Sequence, residues 1–115
     1  MLEIIPAIDL RNGKCVRLYQ GDYDRETIYS EDPVAMAKHW QSLGGTRLHV
    51  VDLDGAKAGQ PVNSIVIKDI IQELNIPVEL GGGIRDIETI EQMLNLGIQR
   101  VILGTAAIEN PGLVQ

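Results

Sequence analysis

Ile76-Pro77-Val78-Glu79-Leu80-Gly81-Gly82-Gly83-Ile84-Arg85-Asp86 is the stretch that decides how this chain is read. A short apolar run ends in three glycines, and the periodic segment 87–96 follows at once. A strand therefore passes into a helix through a turn without side chains. Such a turn lets an anion approach the amide N–H groups without meeting a Cβ. Asp86 stands where a helix N-cap belongs, and Arg85 sets a fixed positive charge beside the turn. One glycine would serve a tight connection; three followed by arginine point to phosphate binding.

The same strand-then-helix grammar repeats outward from that turn. Residues 4–8 form a buried apolar run ending at Asp9, and Asn12-Gly13 is a strong hairpin signal before a short strand at 15–19. Residues 20–31 are polar, carry no period and read as a long loop. Asp32-Pro33 supplies an N-cap and a first-turn proline, after which Met36, Ala37, Trp40 and Leu43 fall on one helical face before Gly44-Gly45. A second strand spans 48–53, and a second loop runs from Asp54-Gly55 through Pro61. Asn63 or Ser64 then caps a helix that buries Ile67, Ile70, Ile71 and Leu74. Beyond the glycine turn, the next helix presents Ile87, Ile90, Met93 or Leu94. A fourth strand spans 100–103 and ends at Gly104-Thr105, with one short helical turn expected at 106–109. Strands alternating with helices predict a single α/β domain with a parallel sheet. Leu43-Gly44-x-x-Arg47-Leu48 recurs 53 residues later as Leu96-Gly97-x-x-Arg100-Val101. Both copies sit at a helix-to-strand junction, which suggests growth by doubling.

Composition narrows the partners. With 115 residues, 44% hydrophobic and 23% charged, the chain is globular, and its aliphatic core must form without phenylalanine. A net charge of −6 argues against nucleic acid and against an anionic membrane surface, so any bound anion depends on local amides and arginines. The single Cys15 excludes an internal disulfide and reads as a buried thiol in a reducing compartment. The N-terminus has no basic leader and an acid within its apolar run, so neither a signal peptide nor a membrane span is expected. A cytoplasmic location follows.

In parallel α/β folds ligands gather at the C-terminal ends of the strands. Those ends carry Asp9, Asp52 and Asp54, the turn from Gly81 to Arg85, and Gly104-Thr105. Gly82 and Gly83, with Gly104 and Thr105 on the adjacent strand, make the best-supported phosphate site. Asp9 shares a strand face with Ile5 and Ala7; it either caps a turn or stands at the mouth as a general base. Asp52 and Asp54 are either a paired acid site or a loop cap and its neighbour. His49 is either structural or functional, and His39 sits on a polar helix face. Arg17 is either an ion-pair partner or a substrate clamp. No metal-ligand spacing links the histidines to Cys15, so no metal is expected.

Five segments resemble one family in its own order: Ile-Pro-Ala-Ile-Asp-Leu ending at Leu10, Val-Arg-Leu-Tyr-Gln-Gly-Asp-Tyr at 16–23, Leu-His-Val-Val-Asp-Leu-Asp-Gly-Ala at 48–56, Gly-Gly-Gly-Ile-Arg at 81–85 and Leu-Gly-Thr-Ala-Ala at 103–107. They are similar to the ribotide isomerases of histidine biosynthesis, and less so to the cyclase subunit of imidazole glycerol phosphate synthase. The cyclase usually has Cys where this chain has Ala7. The resemblance implies a (β/α)8 barrel of about 250 residues, of which this chain covers strands one to four and helices one to three. It implies an aminoaldose-to-aminoketose rearrangement of a bisphosphorylated ribotide: acid-catalysed ring opening to a Schiff base, then removal of the C2′ proton. No cofactor is implied. Asp9 then corresponds to the base, and Arg17, His49, Asp52 and Arg85 to substrate contacts. The acid and the second phosphate site fall to the barrel's other half. An open half-barrel exposes two sheet edges, so the expected partner is a C-terminal half-barrel or a second copy of the chain. A phosphate-binding half-barrel that dimerises without catalysis is the competing reading.

Overall fold

The computed structural model describes residues 5–102. In chain order the elements are β1 (Ala7–Arg11), β2 (Lys14–Tyr19), β3 (Asp22–Ser30), α1 (Pro33–Ser42), β4 (Leu48–Asp52), α2 (Leu53–Ala58), α3 (Ser64–Glu73), β5 (Val78–Gly81), α4 (Ile87–Leu96) and β6 (Arg100–Ile102). One sheet contains all six strands in the order β3-β2-β1-β4-β5-β6. β1, β4, β5 and β6 are parallel neighbours, and β2 and β3 extend the β1 edge as an antiparallel ribbon.

Side chains alternate across a strand, so the sheet has two different faces. Ile8, Leu10, Leu48, Val50, Val78 and Leu80 point to one side and are buried against Ala37, Ile67, Ile70 and Met93 of the helices. Burying an aliphatic side chain of this size contributes about 1.5–3 kcal/mol, and this layer holds the domain together. Ala7, Asp9, His49 and Val51 point to the other side, where they are exposed or half-buried and Ala7 shares a cleft with Met36 and Trp40 of α1. The expected sharing of a face by Ile5, Ala7 and Asp9 is therefore the open face.

The helix caps fall where the sequence puts them. Asp32 accepts from the Ala35 N–H at 3.1 Å and Asp86 from the Thr89 N–H at 2.7 Å. Gly44 and Gly97, the paired glycines of the 53-residue echo, both take positive φ, 99° and 118°, where their helices end. The two junctions also touch, since Arg47 donates to Gln99. Leu43 departs from expectation: it is exposed and the buried face of α1 stops at Trp40.

Two segments expected as loops are regular structure. Residues 20–31 contain β3, joined to β2 by Gln20-Gly21 with φ of 51° and 77°. The same pair of positive φ values occurs at Asn12-Gly13, 52° and 74°. Two consecutive positive φ values match the right-handed twist of a hairpin. β3 is exposed or half-buried along its whole length, so its residues show no polar–apolar alternation. Leu53, expected to end the second strand, and residues 54–58, expected in the second loop, form the short α2, started by the Asp52 cap and ended by Gly59 at φ 81°. Gly104-Thr105 and the turn expected at 106–109 lie outside the described residues.

Cys15 is fully buried, and burial with the nearby Asp32 charge pushes its thiol up to about 11. At neutral pH only about one thiol in 10⁴ is then thiolate, and the thiolate is the reactive form. A thiol reagent is expected to leave the folded chain unmodified and to label Cys15 fully in denaturant. Stoichiometric labelling of the folded chain at the denatured rate would contradict this.

Candidate functional site

The open face carries a row of polar side chains set by strand register. Parallel pairing puts His49 beside Ala7 on one side and Glu79 on the other, while Asp9 lies beside Val51. Asp9 thus stands one side-chain layer nearer the C-terminal rim than His49. Its carboxyl is half-buried, and burial raises it above the ordinary carboxylate range, against the opposing charges of His49 and Arg17. A carboxylate that is harder to ionise than one in water is a stronger base once ionised. His49 Nδ1 lies 3.0 Å from Glu79 Oε1, and Glu79 Oε2 lies 3.7 Å from Arg100 Nη1. The structure therefore brings Asp9, His49 and Arg17 into one electrostatic group.

Glu79 was not singled out in the sequence. Its signal is there: a lone acid in an otherwise apolar strand, two positions before Gly81 and hence on the Gly81 face. Only 8% of it is exposed.

At the rim, Asp52 has a role different from the expected substrate contact. It is fully buried and points toward the helix layer with Leu48 and Val50. Its Oδ1 accepts from the Gly55 N–H at 2.8 Å and from Asn63 Nδ2 at 2.7 Å. Its Oδ2 accepts from the N–H groups of Val62 at 2.8 Å and Asn63 at 3.0 Å. Four donors fill the carboxylate's acceptor positions, leaving none for a ligand. Asp54 is not its acidic twin either: it accepts from the Asn12 N–H at 2.6 Å and from Asn63 Nδ2 at 3.0 Å. Asn63 Oδ1 in turn accepts from the Gly13 N–H at 3.1 Å. The paired-acid alternative is thereby replaced by a network that ties the first turn, α2 and the start of α3 together.

The glycine turn packs on this network. Gly82 and Gly83 take φ of 95° and 80°; a Cβ on Gly82 would lie 2.4 Å from Asp52 O, and one on Gly83 would lie 2.8 Å from Gly55 O. These two glycines are thus required by the close approach of one rim loop to the next, whatever the turn binds. Gly82→Ala combines left-handed strain with a backbone clash and is expected to cost about 3 kcal/mol. Urea unfolding measures it, and an unchanged midpoint would contradict the packing. Arg85 is exposed, and its guanidinium lies beside Gly59, 3.3 Å from where a Cβ would be. Among the described residues it has no ion pair, so its charge stands over the rim between α2 and the glycine turn.

Arg17 lies on β2 and lines a cleft of about 480 Å³ with Ala7, Thr27, Tyr29, Met36 and Trp40. The indole N–H of Trp40 is buried without an acceptor among the described residues. No group of His, Cys, Asp and Glu among the described residues could hold a metal ion, and none of the described helices is long and apolar enough to cross a membrane.

This arrangement can be set beside known proteins. A family model described as "Histidine biosynthesis protein" matches residues 3–115. The 1-(5-phosphoribosyl)-5-((5-phosphoribosylamino)methylideneamino)imidazole-4-carboxamide isomerase of Dehalococcoides mccartyi is 63% identical over 114 residues, covering 99% of this chain and 47% of the relative. The isomerases of the same name from Synechocystis sp. and Roseiflexus castenholzii are 61% and 58% identical, each over 98% of this chain and 44% and 48% of their own length. The chain spans about half the length of the curated relatives it matches. β1, β4, β5 and β6 with α1, α3 and α4 repeat the strand-and-helix unit of a barrel; the β2–β3 ribbon lies between β1 and α1 in the chain, and α2 between β4 and α3. The chain belongs to the histidine biosynthesis protein family, a (β/α)8-barrel family.

Proposed function

We propose that this chain works as the N-terminal half of a ribotide isomerase barrel, which rearranges the aminoaldose form of a bisphosphorylated imidazole-carboxamide ribotide to its aminoketose. The observation that carries the proposal is Asp9, a carboxyl on the open face of β1 whose affinity for a proton is raised by burial. Opening of the ribose ring to a Schiff base acidifies the C2′ proton. Asp9 accepts that proton, and the enolamine gives the ketone by taking a proton at C1′ as its C2′ hydroxyl loses one. Arg17 and His49 act on Asp9 through charge and border the space in which the sugar would lie. Gly82 and Gly83, with Gly104 and Thr105 outside the described residues, hold one phosphate, and Arg85 adds its charge at that rim. The acid that opens the ring and the second phosphate site come from the C-terminal half-barrel.

Two features accord with a sheet that continues. The open face carries exposed Ile5 and Ile102 beside its polar row, and the Trp40 N–H in the cleft next to β1 has no acceptor among the described residues. A cytoplasmic setting fits a lone buried thiol kept reduced.

The test joins this chain in one polypeptide to the C-terminal half of the Dehalococcoides mccartyi relative. The completed barrel is expected to convert the aminoaldose to the aminoketose. A folded barrel that leaves the aminoaldose untouched, or that catalyses only the cyclase reaction, would overturn the reading.

A further inference from the structure

We infer that Glu79 is the positioning residue of His49: it takes the Nδ1–H bond and thereby leaves Nε2 as an acceptor on the ring edge away from β5. This rests on the reading of the open face as the reacting face. Three observations support it. Register makes the two residues direct neighbours on adjacent strands, and their heteroatoms are 3.0 Å apart, a hydrogen-bond distance. Glu79 is nine-tenths buried, and burying a carboxylate costs several kcal/mol unless donors compensate it. Its only other ionic contact among the described residues is the looser 3.7 Å approach of the mostly exposed Arg100. An apolar residue at this strand position would be easier to bury, so the presence of the acid points to what it does to the imidazole.

A carboxylate is an acceptor only, so a neutral His49 must present its proton at Nδ1. The lone pair then sits on Nε2. His49 lies on the same sheet face as Asp9, one side-chain layer below it. The pair therefore offers a fixed acceptor for a substrate hydroxyl next to the base, with no rotation of the ring. Without Glu79 the ring reverts to the Nε2–H tautomer that imidazole side chains favour in water, and a donor replaces the acceptor.

The experiment is long-range ¹H–¹⁵N NMR of His49 in the 115-residue chain, at a pH well above the ordinary imidazole value of about 6.5. The expected result is the Nδ1–H tautomer in the wild type and in Glu79→Gln, whose amide oxygen still accepts, and a switch to Nε2–H in Glu79→Leu. An Nε2–H wild type, or an Nδ1–H tautomer that survives in Glu79→Leu, would overturn the inference. If Glu79→Leu does not fold, the wild-type and Glu79→Gln spectra decide alone. In the completed barrel, Glu79→Leu is expected to lower kcat by about 10–100-fold, by analogy with the loss of the orienting partner of a metal-ligating histidine. KM should hardly move, and Glu79→Gln should restore most of the rate. The NMR readout needs no turnover. Correct tautomers in an inactive barrel would sink the isomerase reading and spare this one, and wrong tautomers in an active barrel would do the reverse.

Discussion

Replacing Asp9 by Asn in the completed barrel is expected to lower turnover of the aminoaldose by about 10²–10⁴-fold, the contribution of a positioned general base. Asparagine has nearly the same shape and cannot accept the C2′ proton. Binding should survive, because the phosphates are held elsewhere, at the glycine turn and in the opposite half. The loss therefore belongs in kcat, and ligand affinity should change little. The pH profile carries the same argument. Burial raises the Asp9 carboxyl above its ordinary value, against His49 and Arg17. The base must be ionised to act, so the acid limb of the rate should lie above the value of about 3.9 of a free aspartate. Stability runs the other way. A raised carboxyl is least costly to the fold below its unfolded value and becomes more costly as pH rises through its folded value. Asp9→Asn removes that cost and should leave the neutral-pH fold no weaker. A variant that lost activity by unfolding would fail both expectations.

The second large effect concerns stability. Asp52→Ala should destabilise the chain by about 3–5 kcal/mol, since it strands the buried N–H groups of Gly55 and Asn63 and the part-buried N–H of Val62 at once. It also removes the N-cap of α2 and a partner of Asn63, which links Gly13 of the first hairpin to Asp54. The damage should spread to the rim, because Gly82 packs on the Asp52 backbone. Urea unfolding gives the number. A loss within about 0.5 kcal/mol, as surface substitutions show, would mean that the four hydrogen bonds contribute nothing net. Asp52→Asn should fall between the two, as its amide turns a donor toward donors.

How much of this could be read beforehand differs from residue to residue, for physical reasons. Local chemistry was legible. Asp32-Pro33, Asp86 and Asn12-Gly13 each act within four residues of themselves, so the helix starts and the first hairpin were in the sequence. The sheet face of Asp9 was legible too, because alternation fixes it. What failed was long-range or lacked contrast. β3 is exposed or half-buried along its whole length, so its residues show no alternation, and only the Gln20-Gly21 pair hints at a hairpin. Asp52 looked like a site residue because an acid at a strand end often is one. Its role depends on donors ten and eleven residues away, Val62 and Asn63, which only the fold brings to it. Glu79 was hidden inside an apolar run, where a single charge reads as noise until register sets it beside His49. The glycines of the turn were rightly singled out, yet part of their necessity is the backbone of Asp52 and Gly55 pressed against them.

Asp9, His49 and Glu79 lie on the sheet face opposite the aliphatic core, and that face is proposed as one half of a shared site. The most direct test mixes the chain, shown to be monomeric by sedimentation, with the aminoaldose and then titrates in the separately purified C-terminal half of a relative. The chain alone is expected to show no turnover, and activity is expected to rise until the two halves are equimolar. Turnover by the monomeric chain alone would contradict the shared site, as would a folded equimolar complex that stays inert.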